Sequence, residues 1–336
     1  NPFPAFLLSF QMIVPVLSAY RCKRRGGDML YIFQFLLYLF LFLSGMAIMK
    51  KGLLRIAENR IRTMLKMFTK NHVIGMLFGI LITVILQSSS AVMIIMIGLI
   101  AVRVISFSNS IGIILGTNIG TTVTLEFLAY GTEELIIPLL IIGSFCIVIP
   151  SVRMRSAGLF FYGLGAIFLA MFGFEQLAVP ISESPKFTSV FTLINHSHFF
   201  AVIIGCIITA IIQSSTAMIG IAMGFVHNHV IGLASATGIM LGANIGTCVD
   251  AYIASIGGGK EAKLSAYAHI WLNLFGVCLF FPFIDSFAGW IAQFEVIPER
   301  QLAHASVIFN IAVSLIFLPF ANLFANFVEL VHGKTT

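Results

Sequence analysis

The chain has 336 residues, of which 59% are hydrophobic and 10% are charged, and its mean hydropathy is +1.03. A soluble domain carries charged residues at roughly a quarter of its positions, so this composition excludes a water-soluble globular protein. The sequence does not show the alternating pattern of outer-membrane barrel strands. An all-α integral membrane protein is therefore predicted. Its net charge of +6 is assigned to membrane topology rather than to nucleic-acid binding.

The first 28 residues form an N-terminal segment of uncertain status. Residues 3–20 are apolar and a basic run follows at residues 21–25, so an additional helix, a targeting segment and non-native sequence are all left open. Residues 29–336 are predicted to form a single transmembrane domain. Within this domain we assign a first repeat to residues 30–150, a second repeat to residues 156–283 and C-terminal helices to residues 284–331.

Two polar motifs occur twice, 126 residues apart. Residues 87–90 (Gln-Ser-Ser-Ser) return as residues 213–216 (Gln-Ser-Ser-Thr), and both copies lie within apolar stretches. Alignment of residues 79–122 with residues 205–248, without a gap, gives 20 identities in 44 positions and also repeats a Gly-x-Asn-Ile-Gly-Thr motif. Repeated polar clusters inside apolar segments indicate a two-fold site within a membrane.

The apolar segments are of two kinds. A membrane-spanning helix needs about 20 apolar residues, and seven segments come near this length: residues 30–49, 111–129, 135–150, 157–173, 237–255, 266–282 and 306–328. Residues 73–102 and 199–226 are longer, but the Gln-Ser-Ser motif divides each into halves that are too short to cross. These halves predict re-entrant helical hairpins with Gln-Ser-Ser tips. The Asn-Ile-Gly segments at residues 118–120 and 244–246 predict a broken transmembrane helix in each repeat.

The number of crossings predicts that the two repeats have inverted topology. Three crossings and one hairpin separate residue 30 from its counterpart, residue 156, and an odd number of crossings turns the second repeat upside down. The charges agree, because residues 50–70 carry seven Lys or Arg and the matching residues 176–196 carry one, Lys186. By the positive-inside rule, the first segment and the C-terminus are cytoplasmic.

The two hairpin tips are predicted to form one anion site. The second limb of each hairpin begins just after its glutamine, and the first N–H groups of a helix have no internal partner and carry partial positive charge. Two such helix starts, with hydroxyl and amide side chains, make a cradle for an anion. The candidate anion-binding residues are Gln87, Ser88, Ser89, Ser90, Gln213, Ser214, Ser215 and Thr216.

An anion at this depth needs positive charge, and the apolar segments contain almost no Lys or Arg. Co-bound Na⁺ is the expected source, held by carbonyl groups of the broken helices and by nearby side chains. Asp250 is included because acidic residues at membrane depth are costly, and its counterpart in the first repeat is Thr124. The candidate Na⁺ ligands are Ser90, Asn118, Thr121, Thr122, Thr216, Asn244, Thr247 and Asp250.

With both motifs present twice in this order and spacing, residues 30–328 resemble the type II sodium–phosphate cotransporter family. The resemblance implies that the Gln-Ser-Ser segments lie in re-entrant hairpins and contribute to phosphate and sodium binding. It also places residues 118–122 and 244–247 in the same central site. Three features depart from the family pattern. Cys248 replaces a hydroxyl residue, Asp250 replaces Thr or another small residue, and Ser306 replaces the usual His, with His304 displaced by two positions. The first two changes leave the number and affinity of sodium sites open.

The predicted function is Na⁺-coupled symport of inorganic phosphate into the cell by alternating access, in a multi-pass protein of the cell membrane. The expected partners are phosphate, sodium ions and the lipid bilayer, with no nucleic acid, and a homodimer is left open. The alternatives are an H⁺-coupled carrier using Asp250, Glu126 or a histidine, a carrier of another oxyanion, and an anion channel. The sequence lacks nucleophile, zinc and phosphate-loop motifs, so an enzyme is not expected.

Overall fold

The described part of the chain is built from helices. The computed structural model describes residues 27–64 and 71–333, and of residues 56–64 it describes the backbone alone. Most of the predicted N-terminal segment, residues 1–28, therefore lies outside the described residues. The α-helices, numbered in chain order, are α1 (Asp28–Met64), α2 (His72–Leu86), α3 (Ser89–Ala101), α4 (Phe107–Ala129), α5 (Glu133–Val148), α6 (Val152–Ser182), α7 (Thr188–His196), α8 (His198–Ile212), α9 (Ser215–His227), α10 (Leu233–Gly246), α11 (Cys248–Ser255), α12 (Lys260–Phe280), α13 (Ile284–Ile291), α14 (Pro298–Phe317) and α15 (Ala321–His332).

Five helical stretches among the described residues are long and apolar enough to cross a membrane. They are Asp28–Arg55, Phe107–Ala129, Val152–Ser182, Lys260–Ile291 and Pro298–His332. These stretches contain five of the seven predicted spans and agree with the prediction of an all-helical membrane protein. The other two spans differ from the prediction. Helix α5 has 16 residues, which is about 24 Å, and residues 237–255 are divided between α10 and α11.

Each Gln-Ser-Ser motif separates two short apolar helices, as predicted. Helix α2 ends at Leu86 and α3 begins at Ser89, while α8 ends at Ile212 and α9 begins at Ser215. These four helices have 15 or 13 residues. A helix of that size is about 20–22 Å long and is therefore shorter than the hydrocarbon core of a bilayer, which is about 30 Å thick.

The same backbone conformations recur 126 residues apart. Gln87 (φ 50°) and Gln213 (φ 58°) take the left-handed conformation, and so do Arg103 (φ 59°) and His229 (φ 55°). Residues other than glycine rarely adopt this conformation, because it costs roughly 1–2 kcal/mol per residue. The sequence repeat therefore extends to the local structure of the backbone.

The two predicted helix breaks are not observed as expected. Helix α4 runs without interruption from Phe107 to Ala129, so the prediction of a break at residues 118–120 is wrong. In the second copy, residues 244–246 are helical and the interruption is one residue, Thr247. Its φ of −65° and ψ of −18° are close to helical, and its N–H donates to the carbonyl oxygen of Ala243 at 3.2 Å. No stretch of unwound backbone therefore occurs at either motif.

Glycines allow the backbones of α2 and α4, and those of α8 and α10, to come into direct contact. A Cβ added at Gly116 would lie 2.1 Å from the carbonyl oxygen of Met76, and one added at Gly242 would lie 1.9 Å from that of Val202. Helix backbones approach this closely only where small residues line the contact. The glycines of the Gly-x-Asn-Ile-Gly-Thr motifs thus serve helix packing.

The buried hydrophobic side chains form two clusters. The larger cluster joins α1, α6, α9, α10 and α14, and the smaller cluster joins α2, α3, α15 and the first half of α4. Helices α4 and α12 contribute to both. Because α3 belongs to the smaller cluster and α9 to the larger one, the helix starts that follow the two Gln-Ser-Ser motifs come from different hydrophobic cores.

Replacing Gly242 with alanine is expected to destabilise the protein by about 2 kcal/mol or more, because the added methyl group would overlap the backbone of α8. Thermal unfolding of the purified protein in detergent measures the effect. Gly98→Ala is the matched control, since nothing lies within 4 Å of a Cβ added at Gly98, and its melting temperature should stay the same or rise. Equal melting temperatures for the two variants would contradict the close contact between α8 and α10.

Candidate functional site

Both Gln-Ser-Ser motifs line one small polar cavity. The cavity has a volume of about 30 Å³, and all twelve of its lining residues have polar side chains. They are Lys50, Gln87, Ser88, Ser89, Ser90, Thr121, Thr124, Gln213, Ser214, Ser215, Thr216 and Thr247. The fold thus brings together all eight residues that the sequence nominates for anion binding, and it adds Lys50 and Thr124, to which the sequence assigned no role in binding.

The two motifs cap the helices that follow them in the same way. Ser88 Oγ accepts a hydrogen bond from the N–H of Ala91 at 3.3 Å, and Ser214 Oγ accepts one from the N–H of Ala217 at 3.2 Å. Serine is favoured at this position because its hydroxyl oxygen pairs with an N–H group that the helix itself leaves unpaired. The other N–H groups of a helix's first turn point along its axis and have no partner within the helix, and the first residues of α3 and α9 line the cavity.

Gln87 is held in place by two hydrogen bonds. Its Nε2 donates to the carbonyl oxygen of Val84 at 2.7 Å, and its Oε1 accepts from Thr124 Oγ1 at 2.6 Å. The residue is buried, whereas Gln213 in the second motif is exposed. The two glutamines therefore share a backbone conformation but differ in the surroundings of their side chains.

Asp250 makes the two halves of the site different. It occupies the position that matches Thr124, but it accepts a hydrogen bond from Ser90 Oγ at 2.5 Å and so contacts the first motif instead of the second. An O–H···carboxylate bond of this length is a charge-assisted hydrogen bond. A carboxylate from the second repeat thus joins the start of α3 in the first repeat.

Lys50 places a positively charged group at the cavity, which the sequence did not predict. The sequence places Lys50 in the cytoplasmic basic segment at residues 50–70 and predicts membrane segments with almost no neutralising cations. Helix α1 instead continues to Met64, and Lys50 lines the cavity and interacts electrostatically with Asp250. Its neighbour Lys51 is exposed. An anion in the cavity therefore does not depend on co-bound cations alone.

The candidate Na⁺ ligands fall into two groups. Five lie at the cavity: Ser90, Thr121, Thr216 and Thr247 line it, and Asp250 contacts Ser90. Three others are not among its lining residues: Asn118, Thr122 and Asn244. Two of these three bond to carbonyl groups of their own helices, because Thr122 Oγ1 donates to the carbonyl oxygen of Ile119 and Asn244 Nδ2 donates to that of Met240.

Asn118 belongs to a polar network that joins α4, α11 and α12. Its Nδ2 donates to Asn273 Oδ1, and its Oδ1 contacts His269 Nε2, both at 3.2 Å. Asn273 also donates to Cys248 Sγ at 3.2 Å. Polar groups removed from water need hydrogen-bond partners, and these contacts supply them for the half-buried Asn118. Its role as a Na⁺ ligand stays a prediction.

Two of the residues considered as proton carriers contact each other. Glu126 Oε1 lies 2.8 Å from His304 Nδ1, and His304 Nε2 lies 3.8 Å from Glu295 Oε2. None of the three lines the polar cavity. Their pairing gives His304 of α14 a hydrogen-bond partner on α4.

A multi-pass helical protein in which two matched helix starts face one polar cavity has the organisation of a membrane transporter. Comparison with known families agrees. The family described as Na⁺/Pi-cotransporter matches residues 41–176 and 180–296. The chain belongs to this family of phosphate transporters, and the resemblance seen in the two motifs is confirmed.

Individual relatives carry different names. The uncharacterized protein YqeW of Bacillus subtilis is 40% identical over 302 residues, which cover 90% of this chain and 98% of YqeW. A Salmonella typhimurium protein, named putative inorganic phosphate export protein YjbB, is 24% identical over 300 residues, which are 89% of this chain and 55% of YjbB. The sodium-dependent phosphate transport protein 2A of Ovis aries is 30% identical over 88 residues, 25% of this chain and 14% of that protein. The chain thus spans about half of YjbB, and no solved structure matches it.

Replacing Ser88 with alanine is expected to destabilise the protein by about 1 kcal/mol, because the N-cap hydrogen bond at the start of α3 is lost. The melting temperature of the purified protein measures this loss. Ser89→Ala is the control, since Ser89 is the first residue of α3 and follows the cap residue. If Ser89→Ala lowers the melting temperature as much as Ser88→Ala, the capping role is refuted.

Proposed function

We propose that the protein is a symporter that couples the entry of Na⁺ to the entry of inorganic phosphate, by alternating access. The proposal is carried by one observation, that both Gln-Ser-Ser motifs of this phosphate-transporter family member line a single polar cavity. The cavity contains the donors that a tetrahedral oxyanion needs, and it lies among apolar helices, where a bare anion would be unstable.

In this proposal, phosphate binds between the starts of α3 and α9. The two helix starts supply N–H groups and partial positive charge, which is the common way in which helices hold phosphate. The hydroxyl groups of the third motif positions, Ser89 and Ser215, with the amides of Gln87 and Gln213, add donors around the anion. Ser88 and Ser214 support the cradle chiefly as caps that fix the two helix starts.

Lys50 is assigned a direct role in phosphate binding. Its ammonium group carries a full charge and three donors, and ammonium–phosphate hydrogen bonds are stronger than those between neutral groups. With one fixed positive charge at the cavity, the site requires less charge from sodium ions than a cavity without a lysine would require. The matching residue in the second repeat is Gln176, so this charge is present once.

Sodium ions are proposed to bind beside phosphate, at the hydroxyl oxygens of Thr121 and Thr247 and at Asp250. Na⁺ is a hard cation, and it prefers hard oxygen ligands such as carboxylate and hydroxyl groups. The cation and the anion stabilise each other when both are removed from water, so binding of one favours binding of the other. This mutual stabilisation is the proposed basis of coupling.

The proposed membrane arrangement has two inverted repeats in the cell membrane, with the C-terminus in the cytoplasm. In it, α2–α3 and α8–α9 are re-entrant hairpins that enter from opposite faces and meet at the cavity. The arrangement is supported by the short helices on both sides of each motif. The unequal numbers of basic residues in residues 50–70 and residues 176–196 support it independently.

Phosphate export is a second candidate, because YjbB is named a putative phosphate export protein. The same cavity serves transport in either direction, since the ion and phosphate gradients set the direction of a symporter. A proton-coupled carrier that uses Glu126 or His304 has less support, because these two residues contact each other and do not line the cavity. Asp250, the other candidate proton carrier, contacts Ser90 at the cavity, so the ion dependence of uptake decides whether it serves a proton or Na⁺.

Purified protein in liposomes is expected to accumulate labelled phosphate when Na⁺ is present outside and K⁺ inside. Uptake should fall to the level of empty liposomes when K⁺ replaces Na⁺ on both sides, because the anion then lacks its stabilising cation. Uptake driven by a pH gradient without Na⁺ would select the proton-coupled carrier. Phosphate efflux that ignores an inward Na⁺ gradient would select export, and uptake indifferent to Na⁺ ends the symport proposal.

Replacing Lys50 with methionine is expected to raise the KM for phosphate about ten- to a hundredfold, because a hydrogen bond to a charged group contributes about 1.5–3 kcal/mol. Lys51→Met removes the same charge from the next, exposed position of α1 and serves as the matched control. Initial rates of Na⁺-driven uptake in liposomes give both KM values. An unchanged KM in Lys50→Met, with the protein folded, would show that Lys50 does not bind phosphate.

A further inference from the structure

A second and larger cavity lies at the opposite end of α9. Its volume is about 840 Å³, and its lining residues come from the ends of α4 and α9, from the second half of α6 and from the starts of α5 and α14. Ser215 at the start of α9 lines the polar cavity, whereas His227 at its end lines this larger one. The two residues are about 18 Å apart along the helix, so the cavities are separate sites.

Three side chains of metal-ligating type meet in this cavity. Glu175 from α6, His227 from α9 and Glu299 from α14 each offer one ligand atom, and these atoms all lie within 4.8 Å of one another. His227 Nδ1 contacts Glu299 Oε1 directly. Since each residue belongs to a different helix, the grouping is a product of tertiary structure and cannot be read from spacing in the sequence.

Glu299 has a carboxylate oxygen that is buried and unpaired. Its side chain is 10% exposed, and its Oε2 has no hydrogen-bond partner among the described residues. A buried polar atom without a partner costs free energy, and the cost is greater when the group is charged. The neighbouring Arg300 guanidinium lies over the Tyr130 ring, 4.3 Å from the ring centroid. A cation bound at the cluster would supply the missing partner of Oε2.

The charges around the cavity also favour a cation. Three carboxylates line it, those of Glu133, Glu175 and Glu299, against one arginine, Arg300. Carboxylates that share a small volume repel one another, and a divalent cation between two of them replaces this repulsion with attraction.

The helices that carry two of the ligands are already held together beside the cluster. Asn228 Nδ2 donates to the carbonyl oxygens of Glu175, at 2.8 Å, and Gly224, at 3.2 Å. A Cβ added at Gly224 would lie 3.0 Å from the backbone nitrogen of Glu175, so α6 and α9 are in close contact here. Ligands that are positioned before an ion arrives bind it with a smaller ordering cost.

We propose that Glu175, His227 and Glu299 form a binding site for a divalent transition-metal ion, for which Zn²⁺ is the probe. Zn²⁺ takes imidazole nitrogen and carboxylate oxygen ligands at about 2.0–2.2 Å, and three protein ligands leave a fourth position for water, which the cavity can supply. An imidazole ligand favours Zn²⁺ over Mg²⁺ and Ca²⁺, which prefer oxygen ligands. The bound ion joins α6, α9 and α14 and is distinct from the proposed sodium and phosphate site.

The test uses the full chain, purified in detergent and treated with EDTA before removal of the chelator. Isothermal titration calorimetry with ZnCl₂ is expected to give one ion per chain, and Zn²⁺ is expected to raise the melting temperature, because an ion that binds only the folded state stabilises it. MgCl₂ at the same concentration should leave the melting temperature unchanged. Neither measurement depends on phosphate transport, so the outcome is separate from that of the symport proposal.

Matched variants decide which residues bind the ion. His227→Gln and Glu299→Gln should each weaken Zn²⁺ binding about tenfold or more. The controls His229→Gln and Glu133→Gln change residues that line the same cavity outside the cluster, and they should bind Zn²⁺ as the unmodified chain does. Gel filtration reports whether each variant is folded. If His227→Gln or Glu299→Gln does not fold, Glu175→Gln is tested in its place. If the unmodified chain does not bind Zn²⁺, or if His227→Gln binds it as tightly as His229→Gln, the proposal is overturned.

Discussion

The left-handed backbone of Gln87 and Gln213 is the constraint on which the polar site depends. Each glutamine ends one apolar helix and lets a second begin two residues later, so that two helix starts reach the interior of the protein. Glycine would adopt this conformation at lower cost, but it would bring no side chain to the cavity. At Gln87 the cost is offset by hydrogen bonds to Val84 and Thr124. The conformation that creates the site is thus stabilised by the same side chain that lines it.

The two halves of the site share a backbone but differ in their charges. Lys50 brings a positive charge from α1, and Asp250 brings a negative charge from α11 to Ser90 of the first motif. Opposite charges in one small volume lower the cost of burying either of them. A repeat of identical halves would place the same charge on both sides of the cavity, whereas here each of the two charges is present once.

The features predictable from the sequence were those that depend on local pattern. A polar motif in the middle of an apolar run marks the place where one helix ends and the next begins. Because the motif occurs twice, the sequence predicts that these two helix junctions lie together in one site. The break predicted at residues 118–120 does not occur, because a glycine that breaks a helix and a glycine that allows close packing look the same in a sequence. The role of Lys50 depends on how far α1 extends beyond its apolar run. The grouping of Glu175, His227 and Glu299 depends on how three distant helices pack, for which local pattern gives no signal.

The division of the hydrophobic interior into two clusters has a mechanical consequence. The polar cavity takes side chains from helices of both clusters. At the cavity, the two clusters are therefore separated by polar groups and do not hold each other by apolar contacts. Helix α4 packs against the smaller cluster as far as Ile119 and contributes Leu125, Leu128 and Ala129 to the larger one. A tilt of one cluster against the other, about the stretch of α4 between these two contributions, would change the hydration of the cavity while each core stays packed.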